Sequence, residues 1–138
     1  MNKYLIEWLE ALRSGKYKQG RRFLRNNGEF CCLGVLCDIN MLGTSCWRPD
    51  ASRDMSKLVF GGKELYSLPP KQFIDLLDLP PEMITEAQLD DGFSIRVQRR
   101  GCEWERVDVL NDNGSSFGLI AELVEKTYLS LKGQPDGN

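Results

Sequence analysis

Leu5, Trp8, Leu9 and Leu12 recur at i, i+3, i+4 and i+7, the spacing of one helical face, with Ile6 beside them. This predicts an amphipathic helix from near Asn2 to a stop at Ser14-Gly15. The pattern then shortens. Arg21-Arg22-Phe23-Leu24-Arg25 and Glu29-Phe30-Cys31-Cys32 flank Asn26-Asn27-Gly28, and an Asn-Gly pair between apolar-bearing arms predicts a β-hairpin. If the first arm is a strand, Arg21 and Arg25 share a face with Phe23, and Arg22 points away with Leu24. From Cys32 to Met41 the chain is nearly all apolar, which predicts a short buried helix closed by Gly43.

The middle alternates between short runs and breakers. Cys46-Trp47-Arg48-Pro49 reads as the end of a strand, and positions 49–57 read as a polar loop. Leu58-Val59-Phe60, Gly61-Gly62 and Lys63-Glu64-Leu65-Tyr66 predict a second hairpin. Pro69-Pro70 should open a helix carrying Phe73, Ile74, Leu76 and Leu77, and Pro80-Pro81 a shorter one with Met83 and Ile84. Ser94-Ile95-Arg96-Val97-Gln98 and the run from Trp104 to Val109 both alternate, with Arg100-Gly101 between them, which predicts a third hairpin. The last helix should run from about Ser115 to Leu131 on a stripe of Phe117, Ile120, Ala121, Val124, Tyr128 and Leu131.

Terminal helices with short hairpins between them predict an α+β fold with antiparallel sheet. The expected organisation is one domain over 1–132, with a polar tail at 133–138. A chain of 138 residues is long enough to fold on its own core, without a metal or disulfide. No apolar run approaches the ~20 residues of a membrane span, and the N-terminus lacks the uninterrupted apolar stretch of a secretory signal. The expected location is therefore the cytoplasm.

Charge changes this picture locally. The net charge of −2 conceals a segment, positions 11–28, with Arg13, Lys16, Lys18, Arg21, Arg22 and Arg25 and no acidic residue. Lys16, Lys18, Arg21, Arg22 and Arg25 surround Gly15 and Gly20, where a backbone can approach a ligand closely. They are the candidate ligand-binding residues, and a phosphate-bearing or acidic partner is the candidate ligand. The bland alternative is a solvated loop. Gly-Lys-Tyr-Lys-Gln-Gly lacks the closing Gly-Lys-Ser/Thr of a P-loop, so nucleotide hydrolysis with Mg²⁺ is not indicated.

The remaining chemistry is sparse. The chain has no histidine, which removes the commonest general base and metal ligand. Cys31, Cys32, Cys37, Cys46 and Cys102 match no zinc spacing; they should be reduced, with the first three packed in the core. Asp90-Asp91 and Glu103/Glu105 are paired carboxylates, read more simply as a turn and a wet strand face. The polar run 110–117 should cap the last helix, although the same N–H groups could receive an anion. No catalytic residue, metal site or cofactor is assigned.

Two segments carry a family resemblance. Gly15-Lys16-Tyr17-Lys18-Gln19-Gly20-Arg21 with Phe30-Cys31-Cys32-Leu33-Gly34-Val35-Leu36-Cys37-Asp38 resembles the N-terminal half of a group of small phage and prophage proteins. Leu110-Asn111-Asp112-Asn113-Gly114 with Ser116-Phe117, Ile120-Ala121 and Val124-Glu125 resembles the C-terminal half of that group. The group has no settled activity, so no catalytic residue is carried over. The resemblance implies a viral accessory protein in the host cytoplasm. The expected function is non-enzymatic: binding and neutralising a host factor, in an anti-defence role, the factor being either a host protein or an anionic, nucleotide-like small molecule. The alternatives are a nucleic-acid-binding regulator, disfavoured by the net charge, and a carboxylate- and metal-dependent enzyme. Homo-oligomerisation is left open.

Overall fold

Asn2 starts the first helix. Its Oδ1 accepts the Leu5 N–H at 2.9 Å, and its Nδ2 donates to the Leu76 carbonyl at 2.8 Å. The cap and the tether together fix α1 (Lys3–Arg13), which buries Leu5, Trp8, Leu9 and Leu12. The computed structural model describes residues 1–50, 55–87, 92–99 and 103–133. Within them the chain is a single α+β domain with one continuous core, as the hydrophobic pattern predicts.

Six short strands form the larger sheet: β1 (Lys18–Gln19), β2 (Arg25–Asn26), β3 (Glu29–Phe30), β4 (Cys46–Pro49), β5 (Ser56–Phe60) and β6 (Lys63–Leu65). Their order is β1-β3-β2-β5-β4, with β6 also paired to β5. Only β1 with β3 is parallel. The first two of the three predicted hairpins lie in this sheet. Asn27 and Gly28 take φ of 52° and 77°, and Gly61 and Gly62 take 59° and 79°. Both turns thus have the paired left-handed residues that match strand twist.

The smaller sheet is antiparallel: β7 (Ile84–Glu86), β8 (Phe93–Arg99) and β9 (Glu103–Arg106), with β8 central. The long α5 (Phe117–Leu131) packs on β8 and on α1. Ser116 caps it by accepting the Leu119 N–H, and Thr127 Oγ1 accepts the Gln98 N–H at 3.0 Å from its inner face. Against α1 and β3 packs α2 (Cys32–Ile39), buried from Cys32 to Cys37. A Cβ on Gly34 would stand 1.8 Å from the Leu24 carbonyl oxygen, so only glycine lets α2 sit this close to the chain entering β2.

Several expectations need correction. Arg21 to Leu24 is not strand: pairing begins at Arg25, and Arg22 has φ 72°, so the predicted sharing of faces fails. Val107, Asp108 and Val109 do not extend β9; they open a further helix, α4 (Val107–Asp112). Their alternation and β-branching favour a strand locally, but tertiary bonds to Asn111 and Asp112 override that preference. Ile84 starts a strand rather than ending a helix, and the helix after Pro70, α3 (Lys71–Asp75), is a single turn and a half. Ser56 and Lys57 belong to β5, not to a loop. The helix from Cys32 also stops at Ile39, before Met41. The turn at Arg100-Gly101, Asp90, Asp91, Cys102 and the tail beyond Gly133 lie outside the described residues. Among the described residues no helix is long and apolar enough to cross a membrane.

Candidate functional site

The two distinctive segments, some 90 residues apart, meet at one buried side chain. Asn111 is fully buried at the end of α4. Its Oδ1 accepts the Cys32 N–H at 3.2 Å and the Gln19 Nε2 at 2.9 Å. Its Nδ2 donates to the Gly20 carbonyl at 2.8 Å. Gln19 in turn donates to the Ser115 carbonyl at 2.8 Å and accepts the Phe117 N–H at 3.2 Å. One amide pair thus fastens β1, the start of α2, the end of α4 and the start of α5. Unpaired, these buried backbone groups would each cost about 1–3 kcal/mol.

Beside this junction opens a cleft of about 390 Å³. Its polar wall holds Arg22, Ser67, Arg106, Asp108 and Asp112; Phe23, Leu68 and Val109 line it with apolar surface, and Cys31 lies at its base. Asp108 and Asp112 stand four residues apart on α4 and therefore share a face. Arg106 holds Asp108 through two bonds, Nε to Oδ1 at 3.1 Å and Nη2 to Oδ2 at 2.6 Å, and Asp108 Oδ1 also accepts from the buried Ser94 hydroxyl. Asp112 Oδ1 accepts the Arg22 backbone N–H at 2.7 Å. That bond holds Arg22 in its left-handed conformation, which a non-glycine residue occupies at a cost of order 1 kcal/mol.

The sequence pattern of the family described as Domain of unknown function (DUF8296) matches residues 1–128, nearly the whole chain. The chain belongs to this family. No curated protein and no solved structure matches it.

In this DUF8296 domain the basic segment is divided rather than gathered. Arg22 is exposed at the cleft. Arg21 is exposed too, with Nη2 3.4 Å from where a Cβ on Gly114 would lie, so its guanidinium covers the turn after α4. Among the described residues neither guanidinium has a carboxylate partner. Lys16 is exposed beyond α1, and Lys18 pairs with Glu29 at 3.3 Å across β1 and β3. Arg25 turns elsewhere. Its guanidinium lies 5.4 Å from the Phe30 ring centre and 5.8 Å from that of Trp47. Tyr17 meets Phe30 edge-on at 5.0 Å, and Asp38 accepts from the Tyr17 hydroxyl at 2.6 Å and the Trp47 indole at 2.9 Å. Burial and the neighbouring Asp38 push the Tyr17 phenol well above its ordinary range.

Cys31, Cys32 and Cys37 are buried and unbridged, as expected, and Cys46 is half-buried and free. Cys31 does more than fill space: its Sγ caps α2 by accepting the Gly34 N–H at 3.4 Å. Burial pushes its thiol up to about 12, with a smaller contribution from the Asp112 and Asp108 charges. At neutral pH it is a thiol, not a thiolate nucleophile. Glu105 is bonded to Arg99 at 3.0 Å and Glu103 is exposed, the wet strand face expected of them. Sequence reasoning missed Arg106, Asp108 and Asp112 as cleft residues. The i, i+4 spacing of the two aspartates would have marked them, had the strand-like alternation not hidden α4.

Proposed function

We propose that this chain is a non-catalytic accessory protein of phage or prophage origin. In this reading it acts in the host cytoplasm and sequesters a small anionic ligand at the cleft, in an anti-defence role. The observation that carries the reading is Arg22. An arginine occupies a backbone conformation that glycine would hold with less strain, and its guanidinium, without a carboxylate partner among the described residues, stands at a cleft of small-molecule size. Strain kept at a cleft is a mark of use. Arg106, oriented by Asp108, offers a second guanidinium for a phosphate or carboxylate. The phage origin is supported by the resemblance that the segments at 15–38 and 110–125 carry.

Nucleic-acid binding has weaker support: of the basic segment, Lys18 is paired with Glu29 and Arg25 is committed to aromatic rings, which leaves fewer cations for a phosphate backbone. Catalysis by Cys31 has weaker support as well, given its protonated thiol. The test is calorimetric titration with a panel of phosphate esters, nucleotides and dicarboxylates, followed by mass spectrometry of the recovered ligand. At least one should bind and return unchanged. Turnover would overturn the non-catalytic reading, and failure of every member to bind would overturn the cleft as an anion site.

A further inference from the structure

The cleft's own chemistry narrows the ligand, on the reading that it is an anion site. Two cations, Arg22 and Arg106, and two carboxylates, Asp108 and Asp112, line one small space. Opposite charges in equal number give little net attraction for a bare anion such as inorganic phosphate. They suit a ligand with an anionic group at one end and N–H donors at the other, because a carboxylate can only accept. The two aspartates are not equivalent. Asp108 accepts from Arg106 on both oxygens and from Ser94 on one. Asp112 meets the Arg22 N–H through Oδ1. A carboxylate has roughly four acceptor positions, so Asp112 has capacity to spare for a ligand.

Phe23, Leu68 and Val109 add an apolar wall suited to a flat ring. The volume, about 390 Å³, lies near the small end of the ~300–1,000 Å³ range of ligand pockets. It has room for one nucleotide and not for a chain of them. We propose that the cleft takes a single guanine-type nucleotide, its phosphate on Arg22 and the N–H edge of its base on Asp112. Guanine presents two adjacent N–H donors to a carboxylate. Adenine presents one beside a ring nitrogen whose lone pair the carboxylate repels, and hypoxanthine presents one alone.

The experiment is calorimetric titration of the full chain with guanosine, inosine and adenosine monophosphates and with inorganic phosphate. Guanosine monophosphate should bind at least about tenfold tighter than the adenosine compound, the factor one charge-assisted hydrogen bond supplies, with inosine monophosphate between them and phosphate alone silent. Arg22→Gln should weaken all three nucleotides alike and leave their ratio intact. Asp112→Asn keeps an oxygen for the Arg22 N–H but loses the carboxylate, and should erase the guanine preference. A thermal melt checks that variant's fold, and the inosine–guanosine comparison on the unaltered chain does not depend on it. Lys71→Gln, on exposed surface, should change nothing. Equal affinity for the guanosine and adenosine compounds overturns this inference and leaves the anion site standing. Failure of all three nucleotides while another phosphate ester or a dicarboxylate binds does the same, whereas failure of every phosphate-bearing compound and every dicarboxylate overturns both.

Discussion

The junction at Asn111 and the cleft beside it are built from the same two segments and follow opposite rules. At the junction both polar atoms of the Asn111 side chain are hydrogen-bonded, and among the described residues no buried side-chain polar atom lacks a partner. At the cleft an arginine sits in a strained conformation with its charge exposed and, among the described residues, without a carboxylate partner. The first arrangement is what folding alone produces. The second costs stability, and the protein needs a reason to keep it. Arg25 makes the contrast sharper. It comes from the same basic segment but is half-buried against Phe30 and Trp47, where its role is packing.

The largest effect should come from breaking the junction. Asn111→Ala removes three hydrogen bonds and leaves the Cys32 N–H and Gly20 carbonyl buried and unpaired. We expect a loss of about 3 kcal/mol in urea unfolding. A loss below about 1 kcal/mol would mean that the two segments are held by something else.

Alkaline pH should strain the same region. Cys31, Cys32 and Cys37 all have thiols raised above their ordinary 9.0 by burial, so the folded chain keeps protons that the unfolded chain releases. Their contribution to stability is therefore complete below pH 9.0 and is lost as pH rises towards about 12, the folded value for Cys31. The slope should approach about 1 kcal/mol per pH unit for each thiol. Unfolding midpoints measured between pH 8 and 10.5 check it, and Cys37→Ala should flatten the decline. A midpoint that rises with pH over this window would contradict the burial of these thiols.

Arg25→Gln should have a smaller effect, about 1 kcal/mol, because it gives up contacts with two ring faces. Trp47 reports the change directly: its fluorescence should shift in this variant and stay fixed when Arg22 is replaced. A shift of equal size in both variants would erase the distinction between the packed and the exposed arginine.

These contrasts show what the sequence could and could not convey. The face of α1, the Asn27-Gly28 turn, the Ser116 cap and the buried thiols each follow from a local rule, and each is present. The segment holding Lys16 to Arg25 was legible as a concentration of charge. Its division was not, because Arg25 finds Trp47 only through β5, which pairs with both β2 and β4. Nor was α4 legible: Val107, Asp108 and Val109 alternate like a strand, and only Asn111 and Asp112 bonding to residues 79 to 92 positions away make the helix the better choice. The cleft's acidic wall was hidden with it.

Arg22→Gly isolates the claim that this arginine is kept for its side chain. Glycine relieves the left-handed strain and retains the backbone N–H that Asp112 accepts, so the melting temperature should hold or rise, by a stability gain of at most about 1 kcal/mol. Binding of the ligand found by the nucleotide panel should fall about tenfold or more in the same sample. A variant that melts lower and binds as before would contradict the account and return Arg22 to a structural part of the turn.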